Sequence, residues 1–287
     1  MPPVPHKGAL LIVNADDYGL TSGVSRAVID AHRDGVVTST SVLALGPGFD
    51  KTAGWLDDVP ELGCGAHLAA VGEDPPLLSA REIPSLVDRS GRLPISWRRF
   101  LPLAAAGRID ADDLRREFGA QLDLISESRP NLDHIDTHQN LHLWPMVRDV
   151  VLELAAKHDV RAMRVTRSAE RGLVGQVVNR LAARLEARCD SSGVAYPATT
   201  IGLDEAGHLD LATMVGALER MATSSTAELA THPGELEDPD RARYRWGYQW
   251  PTELSALCSA TVRTAIGELG FRLGTFADLE PGRRGPH

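Results

Sequence analysis

Ala9-Leu10-Leu11-Ile12-Val13-Asn14-Ala15-Asp16-Asp17-Tyr18-Gly19 is an apolar run that ends in two adjacent carboxylates. Five apolar residues, β-branched at their end and closed by Asn14 and Gly19, read as a buried strand. Two carboxylates at the C-terminal end of an inner strand are costly unless something uses them. A bound cation with a water beside it is such a use. The plainer alternative is that Asp16 or Asp17 caps the helix that follows.

Outward from this strand, strand and helix patterns alternate nearly end to end. Val24, Ala27, Val28 and Ala31 mark one helix face, and Val36–Leu43 reads as a second strand. Leu62–Leu68 is a third, short and glycine-rich. From Val71 to about Leu103 a Pro- and Gly-rich stretch carries Trp97 and Phe100, long enough for a lid or binding loop. Leu114, Phe118, Leu122 and Ile125 restore helical spacing, and Pro130 follows that helix. Asp133–Asp136, a segment around Met163-Arg164-Val165, Glu228–Thr231 and Phe271–Leu273 read as further strands. Helices between them include one from about Pro145 and one with the apolar stripe Leu173, Val174, Val177, Val178, Leu181 and Leu185. Repeated strand–helix units without a break predict one α/β domain over 1–287, built on a parallel sheet, open or closed into a barrel. Chemistry in such folds gathers at the C-terminal ends of strands.

Composition narrows the function classes. The chain has 287 residues, 43% hydrophobic and 24% charged, with a formal net charge of -9. That balance argues against nucleic acid as a partner. Cys64, Cys189 and Cys258 are odd in number and widely spaced, which fits reduced thiols and a cytoplasmic setting. No apolar stretch reaches membrane-spanning length. The first eight residues offer no apolar segment with a cleavage site, so no leader is expected. Apolar helices outside a barrel commonly meet a partner, which makes a homodimer one candidate assembly and leaves the oligomeric state open.

Four polar clusters follow the expected strands: Asn14–Gly19, His67, His134–His142 and Thr231–Glu235. If the strands are parallel, all four meet on one rim. A metal-assisted hydrolase needs imidazole or carboxylate ligands, an open position for water, a base and an acid. One of Asp16 and Asp17 can bind metal while its neighbour acts as base, because adjacent strand residues point opposite ways. His67 with one or both of His138 and His142 can complete the ligands; the last two share a face if their segment is helical. His232 is then free to act as acid. Each has a plainer reading: His67 as a core histidine, His232 as a loop residue, Arg164 as the structural partner of a carboxylate.

Taken together, Asn14-Ala15-Asp16-Asp17-Tyr18-Gly19-Leu20, Gly35–Ser41, Gly65-Ala66-His67-Leu68, His134-Ile135-Asp136-Thr137-His138 with His142, Thr231-His232-Pro233 and Gly270–Thr275 resemble YdjC-like proteins, the chitooligosaccharide and hopanoid-associated deacetylase group. The resemblance spans almost the whole chain, in order. It implies a distorted (β/α) barrel with a long insertion loop near the active-site rim, and hydrolysis of acetyl groups from N-acetylated amino sugars with a divalent metal. It implies Asp17, His67 and His138 as metal ligands, Asp16 as base and His232 as acid or oxyanion support. His142 and Arg164 remain as candidate substrate contacts, and Trp97 or Trp144 as a stacking surface. Magnesium or zinc is the expected ion, since imidazoles suit zinc while carboxylate and water tolerate magnesium. Gln139 and Asn140 stand where other members carry histidines, and the loop Val71–Phe100 matches poorly, so the implied substrate class is the broad one. Rival readings are hydrolysis of another amide or a phosphoester, with Arg164 and Arg167 as the available cations, and a metal- or sugar-binding relative without turnover.

Overall fold

The computed structural model describes residues 8–129 and 131–280; Pro130 and both ends of the chain lie outside them. Its strands are β1 (Leu10–Tyr18), β2 (Ser39–Val42), β3 (Gly63–Leu68), β4 (His134–Thr137), β5 (Thr199–Ile201), β6 (Thr226–Thr231) and β7 (Arg272–Leu273). Helices α1 (Ser22–Arg33), α2 (Phe49–Thr52), α3 (Trp97–Ala105), α4 (Ala111–Ser128), α5 (Pro145–Lys157), α6 (Leu173–Ser192), α7 (Leu211–Met221), α8 (Trp250–Leu257) and α9 (Ala260–Glu268) surround them.

All pairings are parallel, in the order β4-β3-β2-β1-β6-β5, with β7 on β1. The sheet curls toward closure through two isolated parallel bridges, Ile135 to Met163 and Ala162 to Ala195. Met163-Arg164-Val165, expected as a strand, is therefore a bridging segment. It spans from β4 to the chain leading into β5 and is too short to form a ladder of its own.

The period of two along β1 separates two environments. Leu11, Val13 and Ala15 pack into the large core beneath the helices. Leu10 and Ile12 face the barrel interior with Ala162, Ala195 and Phe276. Asn14 and Asp16 continue that inward row, so the interior changes from apolar to polar toward the C-terminal ends of the strands. The crowded interior also explains a glycine: a Cβ at Gly65 would lie 2.4 Å from the His134 ring.

Local differences from the sequence expectation have plain causes. Val36 and Val37 precede β2 as buried linker residues. β5 is only three residues long and carried no periodic signal. The stretch from Val71 is irregular as far as Ser96, but its last part is helix α3. The α6 stripe is split: Leu185 is buried, whereas Leu173, Val174 and Val177 are 80%, 60% and 51% exposed. Among the described residues, no helix is long and apolar enough to cross a membrane.

Candidate active site

Thr21 caps α1, its hydroxyl accepting from the Val24 amide at 3.0 Å. Neither aspartate of the opening motif does so. The alternation expected of Asp16 and Asp17 also breaks. The register with β2 shifts between Ala15 and Tyr18, and Asp17 has φ 67°. Such a bulge re-aims a side chain. Here it turns Asp17 toward the same inner region as Asp16.

Two imidazoles converge on Asp17. His138 Nδ1 lies 3.2 Å and His67 Nε2 3.5 Å from Asp17 Oδ1, and the two nitrogens are 3.3 Å apart. Asp17 Oδ1 is buried and accepts no hydrogen bond. An orphaned carboxylate oxygen beside two imidazole nitrogens fits a divalent cation, and the three residues form a group that could hold one. Burial opposes ionisation of Asp17, but His138 and His67 overcome it and hold its carboxyl well below the usual range.

His67 is oriented from behind by Asp136, whose Oδ1 accepts from Nδ1 at 2.6 Å. A carboxylate behind a ligating imidazole fixes its tautomer and raises its basicity. Burial alone would lower the His67 pKa; Asp136, with Asp16 and Asp17, instead pushes it up to about 9. Asp136 is buried as well, yet Arg164 and His67 keep it ionised.

Asp16 lies in a second set of contacts. Arg164 donates to both its oxygens, Nη1 to Oδ2 and Nη2 to Oδ1, each at 2.7 Å, and Asn14 Nδ2 donates to Oδ1 at 2.7 Å. The same guanidinium reaches Asp136 Oδ2 and Glu228 Oε1, both at 2.7 Å. Asp16, His67 and Asp136 also approach one another closely enough for a cation, but Arg164 already neutralises the two carboxylates. His232 Nε2 is 3.7 Å from Asp16 Oδ2. Its backbone amide donates to Glu253 Oε2 at 2.6 Å, and its ring meets Tyr248 edge-on.

These groups open onto a cavity of about 580 Å³ lined by Asp16, His67, His138, Arg164, His232 and Trp246, among others. Of the residues expected from sequence, the fold thus brings Asp16, Asp17, His67, His138, Arg164 and His232 together. His142 lies apart. The segment His138–Leu143 is a tight turn broken by left-handed Gln139 and Asn140, so His138 and His142 do not share a helical face. His142 is fully buried with Nδ1 on Thr137 Oγ1 at 2.9 Å and does not line the cavity. Trp97 borders the cavity; Trp144 does not.

Sequence reasoning missed Asp136 and Glu228 as partners of Arg164, Glu253 behind His232, and the aromatic wall Trp246–Tyr248. One signal was present: two of the five tryptophans and two of the four tyrosines fall in residues 244–250. Trp246 lies 5.2 Å from the His138 ring and donates to Glu73 Oε1 at 3.0 Å, tying this segment to the long loop.

A family described as YdjC-like protein matches residues 10–268. A carbohydrate deacetylase of Brevibacillus brevis is 29% identical over 272 residues, 94% of this chain and 99% of that protein. A chitooligosaccharide deacetylase of Proteus mirabilis is 32% identical over 272 residues, 94% of this chain and 98% of that protein. In structure, a protein of Enterococcus faecalis V583 whose description speaks of cellobiose-phosphate cleavage superposes with a TM-score of 0.77 at 26% identity, covering 94% of this chain and 98% of that one.

Proposed function

The chain belongs to the YdjC-like protein family, and on that premise we propose that it is a metal-dependent hydrolase removing the acetyl group of an N-acetylated amino sugar. The observation that carries this reading is the buried, unpartnered Asp17 Oδ1 facing His67 and His138, beside the cavity shared by Asp16 and His232. The deacetylase names of relatives matched along almost their whole length support the reaction class.

Asp17, His67 and His138 would hold the ion. A donor set of two imidazoles and one carboxylate favours zinc-like ions over magnesium. Such an ion supplies Lewis acidity, polarising the amide carbonyl and making water a better nucleophile near neutral pH. Asp16 takes the proton of the attacking water, and His232, on the cavity wall, delivers a proton to the departing amine. Arg164 is a positioning residue: its fork fixes both oxygens of Asp16 and keeps that base from rotating. His142, held to Thr137, supports the turn that presents His138.

The phosphoester alternative draws on Arg164 and Arg167. Arg164 is committed to three carboxylates, and Arg167 is paired with Glu186 at the surface. Acetate release from N-acetylglucosamine and its oligomers, with chelated and zinc-loaded protein, tests the reading. We expect zinc-dependent release that Asp16→Asn reduces by about 10²-fold or more. Tight zinc binding with no release from any acetylated sugar would favour a non-catalytic relative.

A further inference from the structure

His134 is a titratable side chain that the proposed reaction does not use, and it is fully buried inside the barrel. Gly65, its neighbour across the β3–β4 pairing, leaves the space that the ring fills. The ring stacks on Phe276 with centroids 3.9 Å apart and 14° between the planes. Both of its nitrogens are engaged: Nδ1 lies 2.6 Å from Asp133 Oδ1, and Nε2 lies 2.9 Å from Ser41 Oγ.

Counting hydrogens at Ser41 decides which groups donate. Its hydroxyl accepts from Asn14 Nδ2 at 3.0 Å and lies 3.0 Å from Asp136 Oδ2. A hydroxyl has one hydrogen and two lone pairs, and a carboxylate has no hydrogen to give. The contact with Asp136 therefore takes the Ser41 hydrogen, and Asn14 takes one lone pair. Towards His134 the hydroxyl can then only accept, so Nε2 carries a hydrogen. Asp133 is an acceptor as well, so Nδ1 carries another. The opposite setting, with Ser41 donating to a bare Nε2, leaves two buried oxygens facing each other at 3.0 Å with no hydrogen between them.

Two further features favour a cation at this place. Asp16, Asp136 and Glu228 share the single guanidinium of Arg164, and a positive ring one hydroxyl away from Asp136 offsets part of that excess. The stacked Phe276 ring presents the negative face of its quadrupole to His134.

We infer that His134 is a positioning residue of the metal site, a buried imidazolium that holds the Ser41 hydroxyl on Asp136 and so keeps Asp136 aimed at His67. A hydrogen-bonded chain thus runs from the half-buried Asp133 through His134, Ser41 and Asp136 to a proposed zinc ligand. It gives Asp136 a second hold besides Arg164. The role rests on the metal-site reading; the charge rests on the hydrogen-bond geometry.

Nitrogen-15 spectra of histidine-labelled, metal-free protein at neutral pH test the charge, with the His134 ring assigned by its shift in Ser41→Ala protein. Both ring nitrogens are expected in the protonated range; one bare nitrogen overturns the proposal. Zinc affinity by chelator competition tests the role. His134→Phe keeps a ring against Phe276 and removes both donors. This variant and Ser41→Ala are each expected to weaken zinc binding about tenfold. Because His134 acts through Ser41, the double variant should be no weaker than either single one. Losses that multiply to about a hundredfold mean that His134 acts by packing alone and overturn the proposal, as does unchanged affinity in Ser41→Ala. Should His134→Phe fail to fold, the ring spectrum and the Ser41→Ala affinity decide between them. The deacetylase reading fails separately: zinc bound with these losses and no acetate released sustains His134, whereas acetate released with no losses overturns His134 and keeps the reaction. If the unaltered protein binds no zinc, the metal reading fails and the His67 Nδ1 resonance of metal-free protein decides. A shift in Ser41→Ala to which His134→Phe adds nothing sustains the positioning role, and no shift overturns it.

Discussion

Arg164 Nη1 and Nη2 hold the two carboxylate oxygens of Asp16, each at 2.7 Å, in a buried bidentate pair at the floor of the cavity. Its remaining donors serve Asp136 and Glu228. One guanidinium therefore ties the proposed base to the carboxylate that orients His67. Coupling of this kind depends on a planar fork, which lysine lacks.

Arg164→Lys keeps the charge and loses the fork. A single ammonium cannot serve three carboxylates, so buried acceptors are left short of donors, at a cost of about 3 kcal/mol. With Asp16 free to rotate, kcat is expected to fall by roughly 10²-fold while KM changes little. Thermal unfolding and steady-state kinetics check both parts; a KM effect with kcat intact would place Arg164 in substrate binding instead.

Metal affinity is expected to depend on pH through His67. The proton on this ring must leave before the nitrogen can bind an ion, and Asp136 and its neighbours have raised the pKa to about 9 against the effect of burial. Zinc affinity should therefore rise about tenfold per pH unit from pH 6.5 toward 9 and then level off. Asp136→Asn should remove most of that slope and weaken binding by roughly 10- to 100-fold at the plateau. Competition titrations against a chelator at several pH values would read this; a flat profile for the unaltered protein would contradict it.

Stability of the metal-free protein is expected to peak near pH 6.5. Burial holds His142 down to about 4, so between 6.5 and 4 the unfolded chain binds the extra proton and stability is lost as pH falls. His67 works the other way. Its folded pKa is raised, so its contribution is full below 6.5 and is lost as pH rises toward 9. Each arm amounts to about 3 kcal/mol. Melting temperature against pH for chelated protein should show the maximum, and His142→Asn should flatten the acid arm.

Gly65→Ala is expected to destabilise the fold by about 1–3 kcal/mol without touching the cavity directly. The added Cβ would sit 2.4 Å from the His134 ring, which is stacked on Phe276 and held by Ser41 and Asp133. Denaturant unfolding measures it; an unchanged midpoint would mean that the interior can give way there.

Much of this architecture was legible in the chain. Val13 running into Asn14 and paired aspartates marked the C-terminal end of an inner strand, and His67, His134–His142 and His232 repeated that placement after other strands. β5 was not legible because a three-residue strand has no period to read. The aliphatics at the start of α6 looked like core because spacing reports a face and not what covers it. Arg164 was visible as a charge near a strand, but its three partners come from three other strands, 28, 64 and 148 positions away.

The sequence by itself determined the alternation that builds a parallel barrel, and the polar residues that its strands deliver to one rim. Those are local properties: the hydrophobic period, the short turns and the residue types at strand ends. Only the tertiary structure decided which carboxylate does what. The bulge at Asp17 turns its side chain inward beside Asp16, and the Arg164 fork captures Asp16. The other is left with an unpartnered oxygen facing His67 and His138, and that difference arises from contacts between residues far apart in the chain.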